Sequence, residues 1–335
     1  MTDYRLDNGN GLTLRFLDRG GIITAIEAPD REDRRANVVL GLASPSDYES
    51  LARHYYLGSL IGRYAGRIAG ARFAIDGHEF RLDANDGANT LHGGRAGFDI
   101  ATWAVEPIGP DCATLHLASP DGAGGFPGRL DVAVTYRLLA DNALRIDYRA
   151  VTDAPTMLNL THHGYFNLGA GARDIREHRL EIAGDRVAEV DASALPTGAL
   201  LPVAETAFDF RSPRAIGARF DEGPWLGGLP GYDHSWVLAD LPRADPRFAA
   251  RMADPLSGRT LEVWTTEPTL HVYTANHFPG AAHDAAGVPL GPHRGVALET
   301  QHLPNSPNLP GFPTTLLRPG ERFRSTTIFR FGTGD

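Results

Sequence analysis

The chain of 335 residues contains no lysine; all thirty-two of its basic residues are arginine. That absence excludes Schiff-base chemistry, a pyridoxal phosphate anchor and the lysine of a phosphate-binding P-loop. Cysteine is nearly absent as well. Cys112 stands alone, so neither an intrachain disulfide nor a thiolate zinc cluster can form. No apolar run approaches the length of a membrane span, and the N-terminal MTDYRLDNGNG lacks a basic region followed by an apolar one. A cytoplasmic protein with no membrane partner is the expectation. The formal charge of −9 argues against a nucleic-acid partner, which would need a basic face. A neutral small molecule is compatible with that charge.

Long amphipathic helical stretches are also scarce. What is there is alternation of apolar and polar residues. Leu12, Leu14 and Phe16 alternate before a Gly20-Gly21 turn into IITAIEA. FAI and HEFRL flank Asp76-Gly77, a tight-turn dipeptide. In LDVAVTYRL, Leu130, Val132, Val134, Tyr136 and Leu138 face one way, and Asp131, Thr135 and Arg137 the other. ALRIDYRAV continues the pattern after Asp141-Asn142. Further strands are expected in LEIA, HSWVLA, RTLEVWT, LHVYTAN, GVALE and RSTTIFRF. With 38 glycines and 24 prolines marking turns, the chain reads as an all-β sandwich of antiparallel sheets. One helix is expected around Ser46 to Arg53. No composition shift divides the chain, so a single domain over 1–335 is expected. The polar faces of the strands suggest an open sheet face serving as a sugar-binding trough.

Histidine supplies the candidate chemistry. TMLNLTHHGYFNL, Thr156 to Leu168, places His162 and His163 together, and an imidazole is well suited to proton transfer near neutral pH. The candidate partner is Glu299 in GVALET, distant in sequence. Taken alone, each residue has a plainer explanation: solvated histidines on a loop, a surface glutamate at a strand end. His92 precedes Gly93-Gly94, where backbone and ring can approach a ligand closely. Asp233 lies in GYDHSW, and His271 shares a face with Tyr273 and Ala275 in EPTLHVYTAN. GSLIGRYAGRIAGARF carries Arg63 and Arg67, which could brace a loop or hold sugar hydroxyls. GAGGFPG, Gly122 to Gly128, reads as a wide turn, and five prolines from Pro304 to Pro319 fix a long loop. Among His162, His163, His234 and His302 no HExxH occurs and no two-histidine-one-carboxylate spacing stands out, so no metal is expected.

GRYAGRI, NTLHGG with GFD and Trp103, SPDG with GFPG, NLTHHGYFNL, GYDH, EP with YT and Asn276, and LETQHLPNSPN follow one another over Gly58 to Glu321. In this order they resemble the aldose 1-epimerase (galactose mutarotase) family. The resemblance implies a large galactose mutarotase-like β-supersandwich with few short helices. It also implies cofactor-free interconversion of the α and β anomers of a free aldose, galactose or glucose first. Glu299 then matches the base that takes the anomeric hydroxyl proton, and His163 the acid that protonates the ring oxygen. Arg67, His92, Asp233 and His271 match sugar-binding positions. The chain departs from the family pattern at Gly66, where asparagine is usual, and at His162-His163-Gly164, where Asn-His-Ser is usual. His271 stands where glutamine is often found. Three other readings compete. A phosphorylated-hexose epimerase would cluster Arg63, Arg67 and Arg95 at one end of the sugar. A non-catalytic sugar-binding protein would be expected to lose Glu299 or His163. A glycosidase would need a second catalytic carboxylate such as Asp233. Monomer and homodimer both stay open.

Overall fold

Alternation of buried and exposed positions along each strand builds two large antiparallel sheets. The computed structural model describes residues 1–50, 55–222 and 231–334. A nine-stranded sheet contains the strands Ala104–Gly109, Cys112–Ser119, Leu130–Leu138, Ala143–Thr152, Phe323–Thr333, Arg259–Thr265, Arg247–Ala253, Arg179–Ile182 and Arg214–Ala215, in that spatial order. Every described pairing in it is antiparallel. A six-stranded sheet runs Tyr165–Phe166, Val296–Gln301, Thr269–Tyr273, Asp233–Val237, Arg186–Val190 and Pro196–Pro202. Pro196–Pro202, which carries a proline at each end, lies at the edge of this sheet, where a missing ladder donor does least harm.

The two sheets share one core. Val132, Val134, Met252 and Val263 of the larger sheet belong to the same buried cluster as Val187, Trp236, Leu270, Val272 and Leu298 of the smaller. Face-to-face packing of this kind makes a sandwich. A four-stranded sheet, Asp3–Asp7 to Arg35–Asn37, adds Leu12, Leu14, Phe16, Ile23 and Ile26 to that core. The strand Leu130–Leu138 buries Leu130, Val132, Val134, Tyr136 and Leu138, as its pattern predicts. The Asp76-Gly77 hairpin forms with both turn residues at positive φ, 51° and 82°.

Two expectations are corrected, and a third falls partly outside the described residues. The polar face of Leu130–Leu138 points to solvent, but it is not the cleft that gathers the candidate residues, which lies on the smaller sheet. The strand read in EPTLHVYTAN ends at Tyr273, because Ala275 takes a positive φ of 53° and leaves the ladder. The helix spans Pro45–Ser50, and residues 51–53 of the expected helix lie outside the described residues. Among the described residues no helix is long and apolar enough to cross a membrane.

Candidate active site

Register places the site. In Asp233–Val237, Thr269–Tyr273 and Val296–Gln301, one residue in two points to the core: Trp236, Leu270, Val272 and Leu298. The alternate set, Asp233, Ser235, His271, Tyr273, Glu299 and Gln301, faces a cleft. Ser235 pairs with His271, and His271 with Glu299, so the three form a row across the sheet.

The opposite wall comes from loops. His163 follows the two-residue strand Thr161–His162 and is fixed through its backbone, its N–H donating to the Ser59 carbonyl (2.8 Å) and its carbonyl accepting from Gly58 (3.0 Å). His92 sits at φ 53° before Gly93, where a Cβ would lie 2.1 Å from the Gly62 carbonyl oxygen. That close approach explains the glycine. The ring of His92 meets that of His163 edge-on at 5.2 Å between centroids. All six candidate residues, Glu299, His163, Arg67, His92, Asp233 and His271, line this cleft.

His163 Nε2 lies 3.4 Å from Glu299 Oε1, with both side chains almost wholly buried. Among the described residues Glu299 Oε2 has no hydrogen-bond partner. A carboxylate so poorly compensated is costly to ionise, and burial pushes Glu299 up to about 7. The positive charge of His271 is the strongest influence in the other direction. Burial also drives His163 down to about 3, so its ring is neutral. Near pH 7 Glu299 therefore passes between its protonated and ionised forms beside a neutral His163.

Asp233 accepts from His271 Nε2 at 2.8 Å and lies 3.8 Å from Arg67 Nη1. Burial opposes its ionisation, but the hydrogen bond and charge of His271, with Arg67, hold it far below the usual carboxylate range. Asp233 is thus a fixed anion and no proton donor, which removes the second acid a glycosidase requires. Arg67 is itself held by Asp86, Nε to Oδ2, at 2.7 Å.

Arg63 has a different task. It is buried and donates to Ser119 Oγ (3.1 Å) and to the carbonyls of Ser119 (3.1 Å), Pro120 (2.6 Å) and Pro127 (2.9 Å). It braces the wide turn at Gly122 to Gly128, whereas Arg95 is exposed and reaches the Ala84 carbonyl at 3.4 Å. The arginine cluster expected for a phosphorylated sugar is therefore dispersed. His302 pairs with Glu267 at 3.0 Å, and His234 packs its ring on Phe208.

The fold does assemble a two-histidine-one-carboxylate group that the sequence spacing hides: ligand atoms of His92, His163 and Glu299 all lie within 4.8 Å of one another. Its donor chemistry fits a metal poorly. His92 Nδ1 accepts the Gly66 N–H at 3.1 Å, so its proton sits on Nε2. Binding a metal at Nε2 would move that proton to Nδ1, against another N–H. Sequence reasoning missed Tyr56, Ser235, Tyr273 and Gln301 as cleft residues. Their residue types carry no signal; only strand parity shared with Asp233, His271 and Glu299 could have marked the last three.

The model of the family described as aldose 1-epimerase matches residues 2–330. The chain belongs to the aldose 1-epimerase family. It is 40% identical over 321 residues to a galactose mutarotase from Sus scrofa, covering 96% of this chain and 91% of that protein. It is 37% identical over 328 residues to an aldose 1-epimerase from Escherichia coli, covering 97% and 94%. Among solved structures, an aldose epimerase homologue from C. elegans superposes with a TM-score of 0.91 at 28% identity, covering 100% of this chain and 99% of that one. A galactose 1-epimerase from Lactobacillus acidophilus gives 0.85 at 28% identity with full coverage of both chains. The aldose 1-epimerase match takes in the first strand, Asp3–Asp7, and most of the last, Phe323–Thr333, beyond the Gly58-to-Glu321 reach of the motifs.

Proposed function

We propose that this protein is a mutarotase, interconverting the α and β anomers of a free aldose by opening and reclosing the ring. The observation that carries the reading is the buried His163–Glu299 pair, 3.4 Å apart, on the wall of a cleft that Arg67, His92, Asp233 and His271 also line. Relatives named galactose mutarotase and aldose 1-epimerase support the same activity.

In this proposal Glu299 takes the proton of the anomeric hydroxyl and His163 delivers one to the ring oxygen. The C1–O5 bond breaks, and the open aldehyde turns about C1–C2. The two groups then exchange roles to close the ring on the other carbonyl face. Glu299 acts as base in its ionised form, and hydroxyl donors of a bound sugar that reach the carboxylate favour that form. The neutral ring of His163, 3.4 Å from Glu299 Oε1, offers the N–H. Arg67, His92, Asp233 and His271 orient the hydroxyls. The reaction needs no cofactor or metal, because one acid and one base suffice. Galactose and glucose are the proposed substrates, with the cytoplasm as the proposed location and one catalytic domain as the working unit.

Polarimetry of freshly dissolved α-D-galactose and α-D-glucose tests this. Accelerated approach to an unchanged final rotation supports it. No acceleration, with sugar still bound, would point to a non-catalytic binding protein.

A further inference from the structure

His271 faces Glu299 directly across the ladder. Opposite side chains of an antiparallel pair have Cβ atoms about 4.5–5.5 Å apart. Both nitrogens of the His271 ring are engaged. Nε2 donates to Asp233 Oδ1 at 2.8 Å, and Nδ1 lies 2.8 Å from Ser235 Oγ. A hydroxyl can accept from Nδ1–H, so the ring is satisfied as an imidazolium with two donors. Burial works against that charge, but the hydrogen bond and charge of Asp233, followed by Glu299, leave His271 above its ordinary value.

The other groups around Glu299 do not supply this charge. Asp233 and Arg67 act on it in opposite senses. Arg67 is shared with Asp86 as well. His92, His163 and His234 are all driven toward the neutral form by burial. The phenols of Tyr148, Tyr165 and Tyr273 are pushed up and stay protonated.

We propose that His271 is the residue that tunes the base: its imidazolium, clamped between Ser235 and Asp233 and opposite Glu299 in register, favours the carboxylate form of Glu299 against the burial that opposes it. This rests on the mutarotase reading and deepens it. His271 acts through Glu299 and is a positioning residue in this sense, whatever hydroxyl it also touches.

The test is His271→Gln, which removes the charge and keeps a hydrogen-bonding side chain. The acid limb of kcat/KM should move up by about one pH unit or more, the usual effect of losing a close opposite charge. Activity at pH 6.5 should fall roughly tenfold and recover above pH 8. His271→Arg, which fixes the positive charge, should leave the limb at or below its wild-type position. An unmoved limb in His271→Gln, with only KM raised, overturns the proposal and leaves His271 a sugar ligand. Infrared titration of the Glu299 carboxyl in protein carrying 13C-labelled glutamate, with Glu299→Gln to assign the band, reads the same shift without turnover. A wild-type protein that fails to accelerate mutarotation defeats the functional reading, while the infrared titration still decides the role of His271.

Discussion

His162 and Gly164 occupy one space: a Cβ at residue 164 would lie 2.6 Å from Cε1 and 3.0 Å from Nδ1 of the His162 ring. Gly164 carries no positive φ, so the restriction is steric and not conformational. The ring at 162 and the missing side chain at 164 are therefore sterically coupled. The larger ring at 162 requires the missing side chain at 164, and His163 between them keeps its place on the cleft wall. Gly164→Ser alone should lose about 1–3 kcal/mol of stability through overpacking. The double variant His162→Asn, Gly164→Ser should recover most of it. Urea denaturation of the three proteins measures the coupling; a neutral Gly164→Ser would mean the ring moves freely and the sites are independent.

Removing either half of the proton pair should stop the chemistry. Glu299→Gln and His163→Asn are each expected to lower kcat at least a hundredfold. Polarimetric turnover at saturating galactose checks this, and near-native turnover in either variant would cancel its assigned role. In the wild type, kcat/KM should rise as pH increases through about 7, where Glu299 loses its proton.

The same carboxyl costs stability. Its value of about 7 in the folded protein exceeds the ordinary 4.5, so the folded state binds this proton more tightly. The contribution is fully present below 4.5 and is lost as pH rises through 7, a difference of at most about 3 kcal/mol. Glu299→Gln should therefore melt higher than wild type at pH 8, with the gain shrinking toward pH 5. Thermal melts across that range decide; a variant destabilised equally at both ends would show that packing at 299 outweighs charge.

Overall stability should run the other way with pH. Burial holds His162, His178 and His234 near 4 and His163 near 3. Each group is depressed below its ordinary 6.5, so the unfolded chain takes up protons that the folded one refuses. Their contribution is present above 6.5 and lost as pH falls toward 4, and four such groups outweigh the opposite slope of Glu299. The denaturation midpoint in urea is expected to drop steeply between pH 6.5 and 4.5, by an amount that lessens when His162 is replaced by asparagine.

Arg63 and Arg67 should separate cleanly. Arg63→Ala strips donors from the carbonyls of Ser119, Pro120 and Pro127 and from Ser119 Oγ, and is expected to cost about 3 kcal/mol or more in stability. Arg67→Ala should chiefly raise KM for the sugar if it holds ground and transition states equally. An equal fall in kcat and kcat/KM for Arg67→Ala would instead give it a part in the transition state.

Much of this protein is written in its sequence by itself. Strict alternation in LDVAVTYRL and ALRIDYRAV determines a half-buried β-strand, because successive side chains in a strand point to opposite faces. The absence of lysine and the single cysteine determine which covalent and metal chemistries are closed. The ordered motifs from GRYAGRI to LETQHLPNSPN determine the family. Tertiary structure decided what parity and order cannot reach. It separated Arg63 from Arg67, four residues apart and alike in composition, by sending one into a turn and the other into the cleft. It moved the site from the exposed strand faces to the smaller sheet, and it brought His92, His163 and Glu299 together from three distant segments. Above all, it set Glu299 opposite His271. A single-residue slip in that ladder would turn either side chain into the core. Register, fixed by burial of Leu270, Val272 and Leu298, is a property of paired strands and not of any one of them.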